Sequence, residues 1–146
     1  MGIMLALSCS SRIEMKEEIA LIEQTMGSFF QAIEDEDVSL LATVMSTEDG
    51  IENIGLISEG KIQGWKSYRE RAAVFFSHTQ SVEFFVREMA TTLHHTGSIA
   101  WVSGIVDATV TEPEKEKAGI WFTAVLEKRG HRWILFQTHF AGVLVD

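Results

Sequence analysis

The chain has 146 residues, 46% of them hydrophobic and 23% charged, with one Cys and one Pro. This length suits one domain with a core that needs no staples, and a lone Cys excludes an intrachain disulfide framework and any multi-cysteine zinc site. A net charge of -9 argues against nucleic acid and anionic membrane surfaces as partners, because such binding begins with Lys and Arg neutralising phosphates.

Residues 1–13 form an N-terminal segment distinct from the domain at 14–146. The run Gly2-Ile3-Met4-Leu5-Ala6-Leu7-Ser8-Cys9-Ser10-Ser11 is apolar, then small, then Cys. It resembles the end of a bacterial lipoprotein signal, in which the Cys becomes the lipidated N-terminus. No basic residue precedes the apolar run, and Ile3 to Leu7 is short for such a signal. Two readings therefore stand: the remnant of a signal, or a mildly apolar N-terminus. Localisation divides the same way, between the bacterial cytoplasm and an envelope-anchored lipoprotein. Membrane contact is expected only through a lipid on Cys9, since no stretch has transmembrane length.

From Glu14 to about Asp35 the spacing predicts a helix. Ile19, Ile22, Met26, Phe29 and Ile33 fall on one stripe at intervals of three and four, and Phe30 widens it. The acidic run Glu34-Asp35-Glu36-Asp37 ends it, because carboxylates at a helix C-terminus oppose the dipole. Asp37 is placed to cap a second, short helix that turns Leu40, Leu41, Val44 and Met45 inward. Ile51 to Lys61 reads as a hairpin around Ser58-Glu59-Gly60. A third helix follows Gly64, with Trp65, Tyr68, Ala72 and Phe75 on its buried stripe.

After His78 the texture changes. Residues 82–89, 99–110, 119–128 and 132–144 are rich in β-branched and aromatic residues. They are linked by a turn at His94-His95-Thr96-Gly97, a charged loop at Glu112-Pro113-Glu114-Lys115-Glu116-Lys117 and a tight hairpin at Arg129-Gly130-His131. Short links predict an antiparallel meander. Helices first and strands second predict an α+β fold. Strict alternation in the last strand puts Trp133, Leu135, Gln137 and His139 on one face. In the second long strand, Trp101, Ser103, Ile105 and Asp107 share a face.

The element order resembles the nuclear transport factor 2-like superfamily, and the last third is similar to its polyketide-cyclase-like (SnoaL-like) branch. Gly97-Ser98-Ile99-Ala100-Trp101-Val102-Ser103-Gly104, Phe122-Thr123-Ala124-Val125-Leu126-Glu127-Lys128 and Trp133-Ile134-Leu135-Phe136-Gln137-Thr138-His139-Phe140-Ala141-Gly142 carry the resemblance. It implies N-terminal helices packed in a strongly curved antiparallel sheet, a cone-like barrel with a pocket between them. It also implies a homodimer through the outer sheet face. The superfamily spans isomerases, cyclases, dehydratases, ligand binders and association domains, so the fold alone assigns no activity.

The residues that can carry chemistry are few. His139 is able to move a proton near neutral pH, or it is a structural His. Asp107 acts as a general base if burial raises its pKa, or it is an exposed strand-end residue. Ketosteroid isomerases of the superfamily pair a carboxylate base with Tyr or acid hydrogen-bond donors. The only Tyr here is Tyr68, placed with Gln137 as a donor to a developing oxyanion. Trp65, Tyr68, Trp101, Trp121, Gln137 and His139 are the expected ligand-binding set. The competing reading of those aromatics is core packing. His94 and His95 read as a turn and not a metal site, for want of further ligands near in sequence. No phosphate loop, nucleophile elbow or dinucleotide fingerprint is present, and no cofactor is expected.

Two functions follow. One is a domain that binds a small apolar molecule or serves mainly to dimerise. The other is a cofactor-free isomerase, cyclase or dehydratase acting by proton transfer on a small hydrophobic substrate. Convergence of Asp107, His139 and Tyr68 on one cavity favours the enzyme, and scatter opposes it.

Overall fold

A computed structural model describes the backbone of residues 2–111 and 114–144 and the side chains of residues 12–111 and 114–141. The lipoprotein-signal reading of Cys9 falls outside the described side chains. Helix α1 spans Gly2–Glu34 and starts earlier than the expected Glu14, since no Pro interrupts the preceding residues. It ends at the acidic run. Glu36 then turns the chain at φ 55, and the Asp37 carboxylate accepts the Leu40 N–H at 2.9 Å to cap α2 (Val38–Val44). The hairpin β1 (Glu52–Ile54) and β2 (Lys61–Gln63) leads into α3 (Trp65–His78).

Strands β3 (Ser81–Leu93), β4 (Ile99–Thr111), β5 (Lys115–Arg129) and β6 (Arg132–Leu144) form the expected antiparallel meander. The sheet order is β2-β1-β6-β5-β4-β3, and β1 joins β6 in parallel. The sheet is curved and unclosed, with the helices on one side, so the fold is α+β. Strand β5 begins inside the predicted charged loop: Lys115, Glu116 and Lys117 pair with Thr111, Val110 and Thr109. Exposed charged residues are compatible with a two-stranded extension, and only backbone pairing decides it.

The inner face is paved with small side chains. Ala100, Val102, Val106, Ala108 and Ala124 are all buried beneath α1. Onto them α1 lowers Ile22, Met26, Phe29, Phe30 and Ile33, none more than 4% exposed, each adding about 1.5–3 kcal/mol by burial. The Phe30 ring centroid lies 5.5 Å from Phe29, 5.1 Å from Phe84, 5.6 Å from Phe122 and 6.1 Å from Phe140. Gly104 lets this layer close. A Cβ there would meet the Glu88 carbonyl oxygen at 2.1 Å and the Phe122 ring at 2.8 Å, so only Gly fits.

Two bulges reset the alternation of the sheet. In β3, Val86 faces Val106 and Glu88 faces Ile105, leaving Arg87 as the extra residue. In β6, Leu135 faces Leu126 and Gln137 faces Val125, leaving Phe136 as the extra residue. An inserted residue reverses the faces of everything that follows it. The expected common face for Trp133, Leu135, Gln137 and His139 is therefore corrected. Trp133 and Leu135 are buried, but beyond Phe136 the inward residues are Thr138 and Phe140, while Gln137 and His139 are exposed.

Polar contacts fasten α1 along its length. The Glu18 carboxylate accepts from Lys128 Nζ and, at 2.6 Å, from Trp133 Nε1. Thr25 Oγ1 donates to the Trp133 carbonyl at 3.1 Å. Glu34 accepts the Phe84 N–H at 2.6 Å, occupying a donor of the edge strand β3 that would otherwise be open to another chain. On α3, Tyr68 and Ala72 are buried, and Trp65 stacks beside Tyr68 at 6.3 Å. Burial alone pushes the Tyr68 phenol far above its ordinary range.

Burial pushes the Glu18 carboxyl up, but hydrogen bonds from Lys128 and Trp133 and the charges of Lys128 and His131 outweigh it, so its pKa lies below the ordinary value. A depressed carboxyl contributes stability that is full above the unfolded pKa and lost as pH falls through the folded one. Glu18→Gln is expected to cost roughly 1–2 kcal/mol at neutral pH and to flatten the acid limb of stability in urea melts. Equal pH slopes in both proteins would contradict the clamp. An alkaline titration reads the single Tyr68 directly: phenolate absorbance is expected only together with unfolding, and a reversible ionisation of the folded chain near the ordinary pKa would contradict its burial.

Candidate functional site: the outer face of the sheet

The side of the sheet away from the helices collects most of the candidate residues. On β4, Trp101, Ser103 and Asp107 alternate with the buried Ala100, Val102, Val106 and Ala108. They share one face, as alternation requires, and that face is the outer one. On β5, Trp121 lies opposite Ile105. On β6, the bulge at Phe136 turns Gln137 and His139 to the same side. His139 is in register with Thr123 and Ile54, and Gln137 with Val125 and Glu52. Trp101 is 45% and Trp121 50% exposed, with Ile99 at 44% and Phe85 at 68%. Isolated exposed apolar residues are ordinary, but large ones spread over adjacent strands of one face form a patch.

Asp107 sits at the margin of this patch and is fully engaged. The bulge residue Arg87 reaches it with two hydrogen bonds, Nε to Oδ2 at 3.2 Å and Nη2 to Oδ1 at 2.5 Å. That hydrogen bonding holds the carboxyl below its usual range despite some desolvation. A carboxylate stabilised in its charged form is a poorer base, which is opposite to the raised pKa the proton-transfer reading requires. Between the bulge and Trp121 lies a cleft of about 420 Å³ lined by Glu88, Met89, Ala90, Ser103, Gly104 and Trp121.

Tyr68 and Trp65 stand on the other side of the sheet, on α3. Asp107 and His139 are thus separated from Tyr68 by the sheet, and the proposed base and oxyanion donor do not face one space. Gln137, the other donor candidate, is exposed beside Trp101 and Val125. The expected ligand-binding set divides likewise: Trp65 and Tyr68 on the helical side, Trp101, Trp121, Gln137 and His139 on the outer side. Gln137 and His139 left the expected pocket because of one bulge residue, and Trp101 and Trp121 because alternation fixes which residues share a face without fixing which face is inside.

One inward polar pair escaped the sequence reading. Asn53 in β1 and Thr138 in β6 are in register and each 2% exposed, and the Thr138 hydroxyl donates to Asn53 Oδ1 at 2.5 Å. The signal was present: Asn is depleted in strands, and this one stands between Glu52 and Ile54 at the centre of β1. His94 and His95 occupy the β3–β4 turn with ring centroids 4.1 Å apart. Among the described residues no group of three or more His, Cys, Asp or Glu side chains is arranged for a metal ion, and no helix is long and apolar enough to cross a membrane.

Comparison with known proteins places this architecture. No curated protein matches the chain in sequence. A candidate dehydratase of the nuclear transport factor 2-like family from Streptomyces avermitilis superposes with a TM-score of 0.80 at 15% identity, over 89% of this chain and 99% of that one. A nuclear transport factor 2-like superfamily protein from Salmonella enterica gives 0.78 at 13% identity, over 90% and 94%. LinA gives 0.76 at 15% identity, over 90% and 89%. At such identities the likeness concerns the fold. The sequence profile of the SnoaL-like domain matches residues 22–145, and on that match the chain belongs to the SnoaL-like domain family, within the nuclear transport factor 2-like superfamily.

Proposed function

We propose that this SnoaL-like domain functions as a homodimer whose two copies join through the outer faces of their sheets. The observation that carries the reading is the exposure of Trp101 and Trp121, with Ile99 and Phe85, on a face that no helix of this chain covers. Tryptophans anchor interfaces out of proportion to their number, because one side chain removes a large apolar surface from water at low entropic cost. Four strands of about this length present a face on the order of 800 Å², one partner's share of a standard interface.

A second copy suits the face better than an unrelated partner. A two-fold contact needs one patch to fit itself, with protrusions beside recesses. Trp121 protrudes beside the cleft floored by Ala90, Ser103 and Gly104, so both parts are on one patch. The charges at its margin are already neutralised within the chain, Asp107 by Arg87 and Glu52 by Lys61. Two chains of charge -9 repel overall, and an apolar contact between locally neutral surfaces is the arrangement that tolerates this.

The proton-transfer alternative has less support. Dehydratase chemistry belongs by name to the Streptomyces avermitilis neighbour, and 15% identity carries the fold without the activity. Asp107, His139 and Tyr68 also fail the convergence such chemistry asks for.

Light scattering during size exclusion at micromolar concentration is expected to give twice the chain mass. Trp101→Glu with Trp121→Glu is expected to give a folded monomer, since each buries a charge in the contact. A monomeric wild type, or a dimer indifferent to both substitutions, would overturn the proposal.

A further inference from the structure

The interior of the fold holds a polar group with unfinished business. Asn53 is the only Asn in the chain. Strand β1 lies between β2 and β6, so the Asn53 side chain is flanked on its own face by Ile62 of one strand and Thr138 of the other. The Thr138 hydroxyl satisfies Oδ1 at 2.5 Å. The amide nitrogen Nδ2 is buried and has no hydrogen-bond partner among the described residues. Native chains rarely leave a buried donor unpaired, and each such donor calls for an explanation.

The adjoining backbone is also unusual. Gly55 has φ 79, and a Cβ there would meet the Phe140 carbonyl oxygen at 2.3 Å. Leu56 follows with φ 71, a left-handed conformation that a bulky side chain rarely adopts. Strained backbone of this kind concentrates where a fold holds ligands. Across the sheet from Thr138, the inward neighbours in register are Ala124 and then Val102, small groups that leave the amide standing above its surroundings.

We infer that Asn53, held by Thr138, is a hydrogen-bond donor inside the fold for the acceptor oxygen of a small neutral carbonyl compound. Oδ1 is used by Thr138, so what Nδ2 offers is donation alone. The ligand is neutral because the buried polar residues are Ser46, Asn53, Thr79 and Thr138, with no charged side chain among those described, and an unpaired charge there is too costly to desolvate. Its body is apolar because Ile62, Ala124 and Phe140 surround the row. The site lies on the opposite side of the sheet from the dimer face and does not rest on dimerisation.

The test uses the full chain labelled with ¹⁵N at Asn, which yields one side-chain amide pair because Asn53 is unique. Cyclohexanone is the probe, and methylcyclohexane is its control of similar size without an acceptor. The expected result is a saturable shift of the Asn53 amide protons with cyclohexanone and none with methylcyclohexane. Asn53→Leu should weaken cyclohexanone binding about tenfold in calorimetry, the worth of one lost hydrogen bond. Three results would overturn the inference: amide signals that respond to neither probe, equal responses to both, or an amide that keeps contact with a long-lived internal water at saturating ketone. If Asn53→Leu does not fold, the labelled wild type still decides between these outcomes.

Discussion

Helix α1 can lie against the sheet because the strands beneath it present almost no side-chain height. Ala100, Gly104, Ala108 and Ala124 form the floor, and Phe29, Phe30 and Met26 descend from the helix to fill the space above it. Large against small is the arrangement that reaches interior packing density without strain. It also fixes what else the domain can do. Much of the interior is occupied by the chain's own aromatic rings, with Phe122 and Phe140 stacked 5.8 Å apart among them. The tryptophans of β4 and β5 are left on the far side of the sheet, with nothing of the same chain to cover them.

A single inserted residue decides which chemistry belongs to which side. Without the extra Phe136, Gln137 and His139 would continue the inward row begun by Trp133 and Leu135. With it, Thr138 faces inward and meets Asn53, while His139 joins Trp101 and Trp121 outside. The second bulge works in the same way on β3. Arg87, the extra residue there, is aimed at Asp107 and ties down a carboxylate that a proton-transfer mechanism would want free. Bulges re-aim side chains at the cost of one ladder position, and here they separate an outward aromatic face from an inward polar pair.

Much of the fold was legible before any coordinates. The stripe from Ile19 to Ile33, the Asp37 cap, the third helix after Gly64 and the four-strand meander follow from periods of 3.6 and 2 and from turn chemistry. The candidate site was less legible, for reasons particular residues make plain. A bulge at Phe136 leaves no mark in an apolar stretch such as Trp133-Ile134-Leu135-Phe136, where every residue suits a strand. Alternation groups Trp101 with Asp107 but does not say which way they point. Asn53 carried a signal in its strand position, yet its unpaired amide is a property of its neighbours. The pairing of β1 with β6, parallel and distant in sequence, had no local trace at all.

The account stands on the claim that the face bearing Trp101 and Trp121 meets its copy in solution. Hydroxyl-radical footprinting above and below the dissociation concentration tests this most directly. The account predicts that Trp101, Trp121 and His139 become protected as concentration rises, while the buried Tyr68 stays unreactive throughout. Tryptophans equally reactive at both concentrations, with protection elsewhere or nowhere, would contradict it.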